Sequence, residues 1–493
     1  MKAIMVVGTT SHAGKSTLII ALSRLLWRKG WLVSPFQGQN IGLDHYLTST
    51  GGEISYAQAF QAWAAKTTPR VEMNPVLIKP QKDQLSQVFF QGHLVGTTRG
   101  KEYDEKYLEQ SWEIIKESLV TLGQEFNLII CEGVGSPAEI NRKHQDLANM
   151  RIATHLNADT ILVADIERGG VFAHIVGTLA LLEPQERALV KGIIINKFRG
   201  DKSTLEDDIK WLQEYTGIPV LGVVPWFNSD LFSANSFRFS KYDHSKTSHN
   251  LHIKIIKLPR VYNFTDFDPL EGEDHVFIEY IEPHQDIGFP DAVIIPGTKN
   301  TMADLMVLEK TGMKEKIQEY ESGGGTVFGI CGGYQMLGHK IIDGDNIEGV
   351  CSEIEGIDLL PIQTTLKPEK ITRQREISAN YPQSGFPVDG YEIHQGYTEL
   401  VTPLVKKRKI KYMALFDDAS LGLVNGNLSV WGCYLHGIFD NGAWRRSWLN
   451  HLRHKRGLPS LPTGISNYRQ HREDLIDALA NYMEKYLDLS SFY

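Results

Sequence analysis

Short apolar runs bounded by glycine or aspartate recur through the first half of the chain: Ala3 to Gly8, Leu128 to Gly133, Thr160 to Asp165 and Gly192 to Asn196. Runs this short, rich in Val and Ile and lacking polar alternation, predict strands buried on both faces of a parallel sheet. Longer amphipathic stretches separate them. In Lys15 to Lys29, Leu18, Ile19, Leu22, Leu25 and Leu26 share one helical stripe. This alternation predicts an α/β, doubly wound sheet. The period is lost between about Phe227 and Asn250, where SANSFRFSKYDHSKTSHN crowds polar residues together. Apolar runs then restart at Leu251 to Leu258, Ala292 to Gly297 and Thr326 to Cys331, and Ala443 to Tyr493 reads as helical. The pattern therefore predicts two α/β domains, residues 1–230 and 251–445, with a polar linker at 231–250 and a helical tail at 446–493.

Composition narrows the class. At 493 residues the chain exceeds what one core holds, and 42% hydrophobic with 22% charged residues is the balance of a globular protein. Lys and Arg total 51 against 59 Asp and Glu, a net charge of −8, which argues against a broad nucleic-acid or anionic-membrane surface and leaves only local cationic sites. Cys131, Cys331, Cys351 and Cys433 are scattered without a CxxC pair, which argues against a disulfide framework or a thiolate zinc site and predicts a reducing cytoplasm. The apolar N-terminal run reaches a glycine-rich loop too soon for a signal peptide, and no run is long enough to predict a membrane span.

The first chemical motif follows the first strand: Gly8-Thr9-Thr10-Ser11-His12-Ala13-Gly14-Lys15-Ser16-Thr17, running directly into the amphipathic helix. Backbone N–H groups of such a loop point at phosphate oxygens, the helix start adds its positive end, and Lys15 supplies a cation for the terminal phosphates. Ser16 or Thr17 would help hold Mg²⁺. Five residues separate Gly8 from Gly14 instead of the usual four, a spacing that resembles the dethiobiotin-synthetase-like branch of P-loop enzymes. ATP is thus the expected nucleotide. Mg²⁺ needs an acidic partner, and Glu132, at the carboxyl end of its strand, is the leading choice, with Asp44 second.

The second motif is a nucleophile elbow. The strand Thr326 to Ile330 ends in Cys331-Gly332-Gly333-Tyr334-Gln335, where a tight strand-to-helix turn would project the thiol and a helix start would lower its pKa. Further on, Ser429-Val-Trp-Gly-Cys-Tyr-Leu-His436-Gly437 alternates, so one continuous strand would place Gly432, Tyr434 and His436 on one face and Cys433 in the core. His436 reaching Cys331 would make the Cys–His pair that acyl transfer from an amide requires. An oxyanion hole is predicted from the N–H groups of Gly297, in the loop Pro296 to Asn300, and Gly332.

Taken in order, GTTSHAGKS, PFQGQN, GGEISYAQAFQA, MNPVLIKP, CEGVGSPAEIN, NKFRGD, PGTKNT, GICGGYQMLG, GYEIHQG and YLHGIFDN resemble the cobyric acid synthase family, over nearly the whole chain. GGEI-x-x-AQA with MNPVL-x-KP separates that family from the related a,c-diamide synthases. The resemblance implies ATP- and glutamine-dependent amidation of four corrinoid carboxylates, b, d, e and g of adenosylcobyrinic acid a,c-diamide. It further implies a dethiobiotin-synthetase-like ATP domain joined to a triad-type, flavodoxin-like amidotransferase domain. It makes Cys331 the glutaminase nucleophile and His436 its base. Asn196, in NKFRGD, becomes a nucleotide contact, and Asp146, in HQDLANM, a residue near the synthetase substrate. One departure stands out: many triad amidotransferases carry Glu two residues after the His, and here that position is Ile438, a lack the cobalamin-type branch shares. Glu392 and His394 are the nearest polar residues for a supporting role, with structural service as the alternative. An internal ammonia path is expected. The rival readings are an a,c-diamide synthase, a cell-wall lipid amidase, and a regulatory P-loop ATPase carrying a decayed amidotransferase.

Overall fold

The structure, a computed structural model, describes residues 2–42, 45–80, 85–227, 251–261, 264–273, 275–409 and 411–492. The predicted linker 231–250 and the proposed metal ligand Asp44 lie outside the described residues. The chain divides into two compact units, Met1–Arg238 with Arg472–Tyr493, and Phe239–His471.

In the first unit a parallel sheet runs in the order Val220–Pro225, Val190–Phe198, Asp159–Asp165, Lys2–Gly8, Leu128–Glu132, Val33–Phe36. Both faces are covered, which is why these strands read as unbroken apolar runs. Met5, Val7, Ile129 and Cys131 belong to one core and Ile4, Val6, Leu128 and Ile130 to the other. The helix Lys15–Arg28 covers the second face through Leu18, Ile19, Leu22, Leu25 and Leu26, the stripe its sequence predicts. A small mixed sheet, Gln39–Ile41, Val76–Pro80, Leu85–Phe90 and His93–Arg99, is inserted in this unit.

The C-terminal stretch is not a separate tail. Arg472–Tyr493 belongs to the first unit, and Ile476, Leu479, Ala480, Met483, Leu489 and Phe492 complete its second core. Arg24, 1% exposed, donates to Glu473 and Asp477, at 2.6 Å each, and to Ala64 O at 2.8 Å. A lone buried guanidinium in the first helix is compensated by carboxylates some 450 positions away in sequence, a pairing that periodicity does not encode.

The second unit is built on Val276–Ile281, Leu251–Ile256, Ala292–Ile295, Val327–Ile330 and Val430–Cys433 in parallel, extended by antiparallel Gly422–Asn425 and Tyr412–Ala414. Its core holds an aromatic cluster in which Phe328 stacks on Trp431, with Trp444 and Trp448 edge-on to Trp431. A second sheet carries the long hairpin Ile362–Ala379 with Phe386–Leu400. The predicted continuous strand through His436 is interrupted here. The chain bends at Tyr434, and Leu435–His436 leaves the parallel sheet to pair antiparallel with Tyr391 and Glu392. Side-chain alternation is therefore reset between Cys433 and His436, and the second sheet, not the first, positions the imidazole.

Candidate active site

In the first unit, residues meet at the carboxyl edge of the parallel sheet, where open α/β sheets bind ligands. Lys15, 7% exposed, donates from Nζ to Gly135 O at 3.0 Å and Thr10 O at 3.3 Å, spanning the loop. Burial pushes its ammonium pKa down, against the raising charge of Glu132. Ser16 Oγ donates to Glu132 Oε1 at 2.5 Å, and Gln61 Nε2 donates to the other carboxylate oxygen. Burial raises the Glu132 pKa, although Ser16, Gln61 and Lys15 all act to lower it.

The loop fits phosphate. The buried hydroxyls of Thr9 and Thr10 have no hydrogen-bond partner among the described residues, as suits groups that a phosphate oxygen would engage. Gly14 has φ +103°, and a Cβ there would lie 2.0 Å from Asn196 Nδ2. Asn196 donates to Ala13 O at 2.9 Å, so it braces the loop's backbone. A hard dication also fits: Ser16 and Glu132 offer oxygen ligands side by side, and no group of three acidic, His or Cys ligands occurs among the described residues. That is the sparse protein donor set of Mg²⁺ held largely by phosphates and water. Thr17 follows Ser16 in the first turn of the helix. Asp146 lies in the same unit. Its carboxylate accepts from the backbone N–H of Ala148, Asn149 and Arg151 at 2.7–3.1 Å, capping the helix Met150–Leu156.

In the second unit the elbow is present. Cys331 follows Val327–Ile330 with φ 50° and ψ −109°, a backbone state costly for a non-glycine residue and typical of nucleophiles held on a forced turn. The turn is tight enough to demand its glycines: a Cβ on Gly333 would sit 2.0 Å from Ile295 O, and one on Gly332 2.7 Å from the Thr298 methyl. Gly332 begins the helix, so its N–H lacks an intrahelical acceptor, and the loop bearing Gly297 runs beside it. Cys331 Sγ donates to Ile393 O at 3.3 Å.

His436 is fully buried, stacked on Tyr391, and its Nδ1 is 2.7 Å from Asp266 Oδ2. Asp266 Oδ1 also accepts from Gly437 N at 2.9 Å, so the carboxylate grips both ring and backbone. Burial by itself lowers the imidazole pKa; the charge and hydrogen bond of Asp266, reinforced by Cys331, outweigh it and raise it to about 10. Asp266 thus occupies the orienting role that Ile438 cannot fill. It lies in the short turn Phe264–Phe267, 170 positions before His436. Motif spacing could not find it, and the one local sign is an aspartate set between two phenylalanines, NFTDF, in an otherwise acidic stretch.

Glu392 and His394 come together nearby, His394 Nε2 lying 3.0 Å from Glu392 Oε1, while Arg373 Nε donates to Glu392 at 2.7 Å. Cys131 and Cys433 are wholly buried, and burial raises both thiol pKa values, so neither competes as a nucleophile.

The fold and the two sites define a class: a P-loop nucleotide unit joined in one chain to a triad-type glutamine amidotransferase unit. A family profile described as a CobB/CobQ-like glutamine amidotransferase domain matches residues 252–444, and one described as an AAA domain matches residues 2–231. Cobyric acid synthases from Nostoc punctiforme, Rippkaea orientalis and Trichodesmium erythraeum are 58%, 56% and 57% identical to this chain, with 99–100% of each sequence covered. The chain belongs to the cobyric acid synthase family. No helix among the described residues is long and apolar enough to cross a membrane.

Proposed function

We propose that this protein is a glutamine-hydrolysing, ATP-dependent amidoligase that converts carboxylates b, d, e and g of adenosylcobyrinic acid a,c-diamide into carboxamides. The observation that carries this reading is the Cys331–His436–Asp266 constellation at a strained elbow, in a chain whose other unit holds a P-loop. Asp266 fixes the tautomer with the proton on Nδ1, which leaves Nε2 to exchange a proton with Cys331. The thiolate attacks the side-chain carbonyl of glutamine, the imidazolium gives its proton to departing ammonia, and water hydrolyses the thioester to glutamate. The Gly332 N–H, with that of Gly297, stabilises the tetrahedral oxyanion.

A carboxylate is a poor electrophile, and ATP supplies the phosphoryl group that activates it for attack by ammonia. Lys15 offsets negative charge on the phosphates, and Ser16 and Glu132 would hold Mg²⁺ there. Asn196 keeps the loop in register, and Asp146 shapes the neighbouring turn. A reducing cytoplasmic setting suits a free Cys331 thiol.

Replacing Cys331 by Ala should abolish glutamine-supported amidation while leaving amidation with added ammonium salt near the wild-type rate. Mass spectrometry of the corrinoid product should show four carboxyl-to-amide conversions. Loss of both activities, or conversion of the unamidated acid alone, would overturn the reading.

A further inference from the structure

His394 is a buried imidazole that the triad does not use. It lies on the strand Phe386–Leu400, 7% exposed, with its ring stacked on Tyr434 at a centroid distance of 3.6 Å. Its surroundings tie it to the nucleophile. Ile393, the preceding residue, accepts from Cys331 Sγ through its carbonyl. Gln335, four positions after Cys331, donates from Nε2 to the carbonyl of Gln395, the following residue, at 2.9 Å, and to Tyr434 OH at 3.1 Å.

The two ring nitrogens of His394 differ. Nε2 faces Glu392, which is 2% exposed. Burial pushes the Glu392 pKa up, but hydrogen bonds from His394 and Arg373 outweigh it and hold the carboxyl below its ordinary value. An ionised carboxylate only accepts, so Nε2 carries a proton, and in the neutral imidazole Nδ1 then presents a lone pair. Nδ1 is buried and has no hydrogen-bond partner among the described residues. A buried acceptor left without a donor is costly, and beside a nucleophile the natural donor is the substrate.

Glutamine offers three groups. Its α-carboxylate has no proton to give and would be repelled by Glu392. Its side-chain amide must meet Cys331 and His436. Its α-ammonium is a cationic donor and matches a lone pair backed by a carboxylate. Resting on the glutaminase reading above, we propose that His394 Nδ1 accepts a hydrogen bond from the α-ammonium of glutamine, with Glu392 as the countercharge, making this pair the specificity determinant for an α-amino acid amide.

The test compares glutamine with glutaramate, the analogue lacking the α-amino group, in the full-length wild type and in His394→Leu and His394→Asn variants. The wild type should prefer glutamine. His394→Leu should raise the KM for glutamine on the order of 10- to 100-fold, the loss expected for a hydrogen bond to a charged group. It should leave glutaramate hydrolysis and ammonia-supported amidation within about twofold, whereas a merely structural role would depress both amides alike. His394→Asn, which retains an acceptor oxygen, should recover part of the preference. Equal losses for both amides, an unchanged KM, or a wild type that does not distinguish the two would overturn the proposal; should His394→Leu not fold, the Asn variant and the wild-type comparison decide. A wild type that hydrolyses no glutamine would instead overturn the function reading.

Discussion

Asp266 changes what Cys331 and His436 can do. A buried imidazole without a counterion is pushed toward neutrality, and a neutral ring beside a protonated thiol is a weak pair. The carboxylate 2.7 Å from Nδ1 reverses this and raises the His436 pKa to about 10, so the ring keeps its proton through neutral pH. Asp266→Asn should therefore move the alkaline limb of the glutaminase pH profile down from near pH 10 toward or below the ordinary histidine value, with ammonia-supported amidation unaffected. An unmoved alkaline limb would show that Asp266 does not set the pair. Stability follows the same sign. The folded pKa lies above the unfolded one, so the contribution is full below about pH 6.5 and is lost as pH rises through about 10. The denaturation-midpoint advantage of wild type over Asp266→Asn should shrink across that interval. Cys331 and His436 were legible in the sequence because each sits in a dense local motif. Asp266 was not, because nothing links residues 170 positions apart except the fold that brings them together.

At the level of elements, both sites are turns following parallel strands, and both depend on close backbone approach. Within these two turns, Gly14 and Gly333 are the positions where a Cβ would come within 2.0 Å of a neighbour, Asn196 in one case and the Ile295 carbonyl in the other. Their substitution should separate the two chemistries. Gly14→Ala, with φ +103°, should abolish ATP-dependent amidation while glutamine hydrolysis persists. Gly333→Ala should do the reverse, leaving ammonia-supported amidation intact. Paired assays on both variants check this, and joint loss in either would show that the turns are not independent. The strands and the first helix were readable from apolar runs and a 3.6-residue stripe. The break at Tyr434 was not, since Ser429 to His436 alternates smoothly in sequence and only pairing with Tyr391 and Glu392 draws Leu435–His436 into the other sheet.

Across the whole molecule, the chain's last 22 residues complete the first unit's core. Burial of Ile476, Leu479, Met483, Leu489 and Phe492 contributes on the order of 10 kcal/mol, comparable with the net stability of a domain. Leu479→Ala should cost about 3 kcal/mol and lower the unfolding transition that ATP protects, with the amidotransferase transition unmoved. An unchanged ATP-protected transition would mean this segment is not part of that core. Sequence alone determined the class of fold, the P-loop, the elbow and the family resemblance, because each is written in contiguous residues whose order dictates local backbone geometry. Tertiary structure decided the partner of His436, the bracing role of Asn196, and the return of Arg472–Tyr493 to the first unit. Those depend on side chains distant in sequence meeting in a buried, low-dielectric interior, where every charge must find a partner and any partner the fold brings within reach will serve.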